Sequence, residues 1–141
     1  MDRRREAIRA LRLHPGADLR RALEQRARRP AATPAFLLAG IGSLDGARLR
    51  PAGADGALEL DGEFEILSLS GSLSRQGVHL HASVADAEGR VFGGHVLPGC
   101  RVRTTAELVL AELLAQRLAR HVDARTGFRE LAIRPLKRRT R

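Results

Sequence analysis

Three of the five histidines are spaced so that they could bind a single metal ion. His79 and His81 are separated by one residue, in a segment whose alternating pattern predicts a β-strand. Alternate side chains of a strand point to the same side, so the two imidazoles would project together, with Cβ atoms about 6–7 Å apart. His95 lies in the next predicted strand of the same hairpin and could supply a third nitrogen.

Three imidazoles with one open position form a known zinc arrangement, in which water takes the fourth place. The spacing of His79, His81 and His95 therefore predicts a site for zinc or another divalent transition metal. A water bound to such a metal is acidified and can act as a nucleophile. The alternative is that all three are polar residues on the solvent or interface face of a sheet.

The remaining reactive side chains give weaker indications. Cys100 is the only cysteine, so it cannot form an internal disulfide, which fits a reducing compartment such as the cytoplasm. A nucleophilic pair with His95 is conceivable, but no orienting third group is visible, and a buried structural thiol is favoured. Glu63 and Glu65 share one strand face and are explained most simply as solvent-facing acids. No catalytic residue is predicted.

The N-terminal third contains the clearest signals for a helix. Residues 9–13 alternate and precede a His-Pro-Gly turn, so they predict a strand. Asp18 can cap a helix whose apolar residues recur at helical spacing up to about residue 29. Residues 36–41 predict a buried strand, or a short buried helix leading into one, and residues 47–50 predict a short strand.

The middle of the chain reads as consecutive antiparallel strands. Asp-Gly pairs at 55–56 and 61–62 predict turns, and the segments 63–72, 78–85 and 91–97 alternate as strands do. A hairpin turn is predicted at 86–89. Residues 105–122 taken alone favour a helix, because their leucines recur at helical spacing. Residues 128–133 alternate again and predict a further strand.

Length and composition fit one folded domain. The chain has 141 residues, of which 43% are hydrophobic. Its longest apolar run, residues 34–41, is far shorter than the roughly 20 residues of a membrane span, so no membrane partner is expected. The basic start is not followed by the apolar segment of a secretory signal. With no Trp, no Tyr and four Phe, a sheet that stacks RNA bases on aromatic rings is excluded.

The net charge of +9 is concentrated at the two ends. Residues 1–30 contain ten Arg and four acids, and residues 128–141 contain six basic residues and one acid. Residues 31–127 contain nine Arg and eleven acids, so the central part is slightly acidic. The basic tail, residues 134–141, predicts either weak phosphate binding or a solubilising segment. The side chains that could contact DNA phosphates are Lys137, Arg138, Arg139 and Arg141.

Several separated segments together resemble the PPC domain, the plants and prokaryotes conserved domain that is also written PCC. They agree with it in order and spacing across most of residues 8–131. The matching segments are Arg-Leu-His-Pro-Gly-Ala-Asp-Leu at 12–19, Gly-Ile-Gly-Ser-Leu at 40–44, Gly-Glu-Phe-Glu-Ile-Leu-Ser-Leu-Ser-Gly-Ser at 62–72, His-Leu-His at 79–81, Gly-Arg-Val-Phe-Gly-Gly-His at 89–95, Gly-Cys at 99–100 and Thr-Ala-Glu at 105–107.

The resemblance implies a specific architecture. It implies an α+β fold, a single domain with a largely antiparallel β-sheet, one main N-terminal helix and few others, that assembles as a homotrimer. It also implies that residues 104–113 pair as a strand, against the local helical pattern. The local pattern still predicts a helix for residues 114–120. The domain is expected to span residues 8–133, between a flexible basic N-terminus at 1–7 and the basic tail.

The resemblance also implies partners. The three histidines correspond to a metal site in bacterial relatives. Plant relatives bind DNA through AT-hooks and use this domain for self-association, and stand-alone prokaryotic members are often described as DNA-binding. This chain has no Arg-Gly-Arg-Pro AT-hook sequence, and it has Glu63 where the plant Gly-Arg-Phe-Glu-Ile-Leu segment has Arg. The resulting hypothesis is a trimeric binding module that associates with DNA through its basic ends; the alternative is a metal-dependent enzyme or small-ligand-binding protein.

Overall fold

The computed structural model describes residues 8–136, which form one helix and eight strands. The predicted flexible segment 1–7 and the four predicted phosphate-binding residues of the tail lie outside the described residues. The strands are β1 (Ile8–Leu13), β2 (Ala35–Arg50), β3 (Leu58–Ser74), β4 (Gly77–Ala85), β5 (Val91–Val96), β6 (Val102–Glu112), β7 (Gln116–Val122) and β8 (Arg129–Pro135), and the helix is α1 (Leu19–Arg28).

Six strands form one antiparallel sheet in the order β1-β6-β2-β3-β4-β5. The end of β2 also pairs with β5, through Leu49 with Val96 and Arg50 with His95, so the sheet curls back on itself. β7 and β8 form a separate two-stranded sheet, here called the C-terminal hairpin. A single domain that is mostly antiparallel sheet with one helix confirms the predicted α+β class.

The helix begins where the sequence predicts. The Asp18 side chain accepts a hydrogen bond from the Arg21 backbone N–H at 2.9 Å, which satisfies a donor that the first helical turn leaves unpaired. Its other carboxylate oxygen accepts from the Gly99 backbone N–H at 2.7 Å. Leu19 and Leu23 are completely buried against the sheet, so one face of α1 closes the core.

The alternation of β4 divides its side chains between the core and the opposite face. Val78, Leu80, Ala82 and Val84 are buried, as the sequence predicts. Leu80 and Val84 are fully inaccessible to solvent. The histidines between them consequently lie on the face directed away from the core.

Two sequence predictions of local structure are wrong. Asp61 and Gly62 do not form a turn but lie inside β3, opposite an irregularity where Asp45 pairs with Glu63 and Ala47 pairs with Leu60. The extra residues are absorbed as a bulge, so β2 and β3 each continue through it. Residues 47–50 are accordingly the end of β2 and not a separate strand.

The predicted helix at residues 114–120 is also wrong, because residues 116–122 form β7. β7 pairs along its whole length with β8, and its Leu118 is buried. Pairing and burial of this kind outweigh the small helical preference of the segment. In residues 8–136, α1 is therefore the only helix, and the expected few others are not found there.

The strand predicted at residues 104–113 is confirmed as β6, which lies between β1 and β2. Residues 36–41 form part of β2, which resolves the alternatives left open for them. β8 extends to Pro135 and so includes the first two residues of the predicted tail. Among residues 8–136 there is no candidate for a membrane-spanning helix, since α1 has only ten residues.

Candidate metal centre

Two neighbouring strands place the three histidines together. His79 and His81 lie on β4 and His95 lies on β5, where it is directly opposite His81. Directly opposed residues of an antiparallel pair share a face of the sheet, so all three imidazoles project from the side away from the core. His81 is exposed, and His95 is half-buried. We call these three residues the histidine cluster.

The spacing within the histidine cluster suits a single ion. One ring nitrogen from each residue lies within 4.8 Å of the other two, and the Nε2 atoms of His79 and His81 are 3.1 Å apart. Zinc–nitrogen bonds of about 2.0–2.1 Å in a tetrahedral site separate the ligand nitrogens by about 3.3 Å. Small rotations of the rings would therefore bring all three nitrogens to bonding distance of one metal.

The electrostatic environment keeps two of the imidazoles neutral. Burial and, after it, the neighbouring Arg20 guanidinium lower the pKa of His95 to about 4. The pKa of His79 is also lowered, first by burial and then by the proximity of His81. Neutral imidazole is the form that binds metal, so near pH 7 these two residues have lone pairs available without first losing a proton.

Arg20 links α1 to both strands of the histidine cluster. Its Nη1 donates to the Val96 carbonyl at 2.9 Å and its Nη2 to the Val78 carbonyl at 3.1 Å. Nη1 also lies 3.3 Å from His95 Nε2, and Nε donates to Glu24 at 2.9 Å. Arg20 is therefore a positioning residue that the sequence analysis missed, because no local pattern relates it to residues almost sixty positions later.

A cleft of about 260 Å³ opens beside the histidine cluster, and we call it the hairpin cleft. The sheet provides one wall, with His79, His81 and Ser72, and the C-terminal hairpin provides the other, with Arg120, Glu130 and Leu131. Arg120 Nη2 donates to Ser72 Oγ at 2.8 Å and holds the hairpin against β3. No sequence pattern indicates this cleft, because residues 114–120 carry a helical pattern although they contribute to a strand pair.

The other reactive residues of the sequence have structural surroundings. Cys100 is fully buried, and its thiol exchanges hydrogen bonds with the backbone N–H and carbonyl of Arg48. Burial raises the pKa of this thiol, so it is protonated and inert, as predicted for a structural cysteine. Glu63 is exposed and forms an ion pair with Arg103 at 2.7 Å, and Glu65 is also exposed.

The fold and the histidine cluster together define an α+β domain with a candidate metal centre. The sequence model of the Plants and Prokaryotes Conserved (PCC) domain matches residues 3–114, and the chain belongs to this family. The matched region ends before the C-terminal hairpin, which forms the second wall of the hairpin cleft.

Curated relatives contain this domain within much longer proteins. Two proteins of Synechococcus, both named bifunctional protein GlmU, are 49% and 50% identical to this chain over 126 and 123 residues. The alignments cover 89% and 87% of this chain. The chain spans only 20% of the length of these relatives.

Solved structures share the fold over nearly the whole chain. A hypothetical protein of Salmonella enterica is 41% identical, with a TM-score of 0.86 over 91% of this chain and 93% of that one. A protein of Archaeoglobus fulgidus described as metal-containing is 27% identical, with a TM-score of 0.76 over 89% and 92%. A protein of Ralstonia eutropha provisionally described as DNA-binding is 25% identical, with a TM-score of 0.70 over 87% and 89%.

Proposed function

We propose that this chain is an oligomeric PCC-type binding module that holds a divalent transition metal, zinc in the first instance, at His79, His81 and His95. The observation that carries the proposal is the convergence of three ring nitrogens within 4.8 Å. The description of the Archaeoglobus relative as metal-containing supports it. Imidazole ligands suit zinc, copper, iron and nickel, so the donor set alone favours this group of metals over magnesium or calcium.

Three protein ligands would leave one coordination position for water or a ligand. An ion there would polarise the bound group and acidify a bound water. His79, His81 and His95 would hold the ion. Arg20 would fix the strand that carries His95. The cleft beside the open position favours a binding role for small molecules, or catalysis on them, as the alternative function.

Elemental analysis of purified protein tests the metal site. The wild-type chain is expected to contain about one metal ion per chain, and His81→Ala is expected to lose it. His121→Ala is the matched control, because His121 is an exposed histidine on β7 outside the histidine cluster. Absence of metal from the wild-type protein after reconstitution with zinc would overturn the proposal, as would full retention in His81→Ala.

We also propose that the module is a homotrimer located in the cytoplasm. The family resemblance supports the trimer, and so do large apolar side chains that stay exposed on β2, β3 and β6: Leu38, Ile41, Leu67 and Val109. Surfaces of this kind are typical of contacts between subunits. The single buried thiol of Cys100 fits a reducing compartment.

Association with DNA is a second candidate function, supported by the description of the Ralstonia relative. The basic ends would contact phosphates, and a trimer would multiply weak contacts. Deletion of residues 137–141 removes four basic residues and leaves β8 intact. We expect the deletion to weaken DNA binding and flatten its salt dependence in titrations at 50 and 200 mM salt. Equal affinity of the deleted and full-length proteins would contradict a role of the tail.

A further inference from the structure

We propose that the hairpin cleft binds a small organic molecule that carries an oxyanion, either a carboxylate or a phosphate, and that Arg120 is the charged contact for that group. The inference rests on the proposed metal site, because the other end of the molecule would reach the open position at the histidine cluster. It adds a ligand class and a specificity residue to that site.

Arg120 has a charge without a counterion. Within residues 8–136 no carboxylate forms an ion pair with its guanidinium. The Ser72 hydroxyl is neutral and uses only one of the five N–H donors. Glu130 lines the same cleft and keeps its negative charge; its Oε1 accepts a hydrogen bond from Thr126 Oγ1 at 3.0 Å, and it forms no ion pair with Arg120. A half-buried guanidinium that has free N–H donors and no ion pair is suited to receive an anion.

The backbone around Arg120 is held in place. Its N–H donates to the Gln76 side chain, and its carbonyl accepts from Arg129 Nη2 at 2.9 Å. With the Ser72 contact, Arg120 is connected to the turn before β4, to β3 and to β8. The backbone of Arg120 is thus held at two points and its guanidinium at one, by Ser72. A side chain that is already partly ordered loses less freedom when a ligand binds, which favours affinity.

The other walls select for a small molecule with mixed polarity. A volume of about 260 Å³ is near the lower limit of known ligand sites, so the occupant is small. Ser70 and Ser72 offer hydroxyls, and Phe36 and Leu131 offer apolar contact. His79 and His81 border the same space, so a ligand bound to Arg120 lies beside the proposed metal.

The two walls of the hairpin cleft come from separate segments of the chain. The histidine cluster lies within the region that the family model matches, residues 3–114, and the wall that contains Arg120, Glu130 and Leu131 follows that region.

Cobalt-loaded protein tests the proposal, because tetrahedral Co²⁺ has a visible spectrum that reports a change of its fourth ligand. We would titrate it separately with acetate and with inorganic phosphate, using chloride at equal ionic strength as the reference. A saturable spectral change is expected with at least one oxyanion, and the more effective probe identifies the group. Arg120→Met is expected to weaken that binding by about 10–100-fold.

Three further variants separate ligand contact from a structural role of Arg120. Arg117→Met is the matched control, since Arg117 is an exposed arginine on the same strand, and it should bind as the wild type does. Ser72→Ala removes the tie to β3 but keeps the charge, so it should retain most of the affinity. Arg120→Lys keeps the charge without the planar fork and should be intermediate.

The outcomes distinguish this proposal from the metal site itself. Cobalt bound at one ion per chain, with no response to either oxyanion, would overturn the anion site and leave the metal site standing. The anion site would also be overturned if wild type and Arg120→Met bound the oxyanion equally well. Equal losses of oxyanion affinity in Ser72→Ala and Arg120→Met would overturn it too. Failure of the protein to bind cobalt would overturn both the metal site and the anion site.

Discussion

At the scale of single residues, the histidine cluster depends on side chains whose partners are far away in sequence. Arg20 ties the helix to the carbonyls of Val78 and Val96, one on each strand that carries the histidines. Its side chain is only 17% exposed, so these hydrogen bonds are well shielded from water. The arginine thus fixes the separation of β4 and β5 where the histidine cluster lies.

The lowered pKa values of His79 and His95 predict how the stability of the metal-free protein depends on pH. In the unfolded chain these residues titrate near 6.5, whereas in the folded chain His95 stays neutral down to about pH 4. The unfolded state therefore takes up more protons, and stability must fall as the pH decreases from about 6.5 toward 4.

Urea denaturation of chelator-treated protein at pH 7.5 and pH 5 would measure this dependence. His95→Gln should show a smaller loss of stability between the two pH values than the wild type does. His121→Gln, which changes an exposed histidine, should keep the wild-type loss. If His95→Gln loses as much stability between pH 7.5 and pH 5 as the wild type does, His95 is not a source of the pH dependence.

At the scale of elements, close strand pairing determines both the fold and the site. Gly71 on β3 pairs with Leu80 on β4, and a Cβ at Gly71 would overlap the carbonyl oxygen of His79. The missing side chain lets β4 approach β3 next to His79. The close approach at Gly71 therefore contributes to positioning the backbone that carries the histidine cluster.

Gly71→Ala is accordingly expected to destabilise the domain by about 1–3 kcal/mol, because β4 must move or the sheet must open locally. The free energy of unfolding, measured by urea denaturation at pH 7, would show this. Gly56→Ala is the control, since a Cβ there would meet nothing within 4 Å. Similar stabilities for both variants would contradict the role given to Gly71.

At the scale of the whole molecule, the length of β2 organises the sheet. Its 16 residues pair with β6 and β3, and its last residues pair with β5, which closes the sheet around the core. The core is formed by the side chains on one face of the strands together with the buried face of α1. The opposite face keeps Leu38, Ile41 and Leu67 more than half exposed, which is the surface that a trimer would cover.

Light scattering coupled to gel filtration tests this assembly. A trimer of 15.4 kDa chains has a mass of about 46 kDa. Ile41→Asp places a charge on the exposed apolar face and is expected to yield the monomer. Val91→Asp, at an equally exposed position on β5, should stay trimeric. A wild-type mass near that of one chain would contradict the trimer.

The local features of the candidate site could be predicted from the amino-acid sequence. Alternation in β4 placed His79 and His81 together on the side away from the core, and the hairpin signals placed His95 opposite them. Asp18 marked the beginning of the helix, and the family resemblance identified β6 as a strand. These features follow from short-range geometry or from motifs readable in one segment.

The surroundings of those histidines depend on contacts that form only when the chain folds. Arg20 reaches them from the helix and Arg120 from the C-terminal hairpin, and neither is related to them by a sequence period. The helical pattern at residues 114–120 gave the wrong element, since pairing with β8 and burial of Leu118 outweigh a preference of a few tenths of a kcal/mol per residue. Long-range contacts of this kind leave no local signal, which is why the cleft emerged only with the fold.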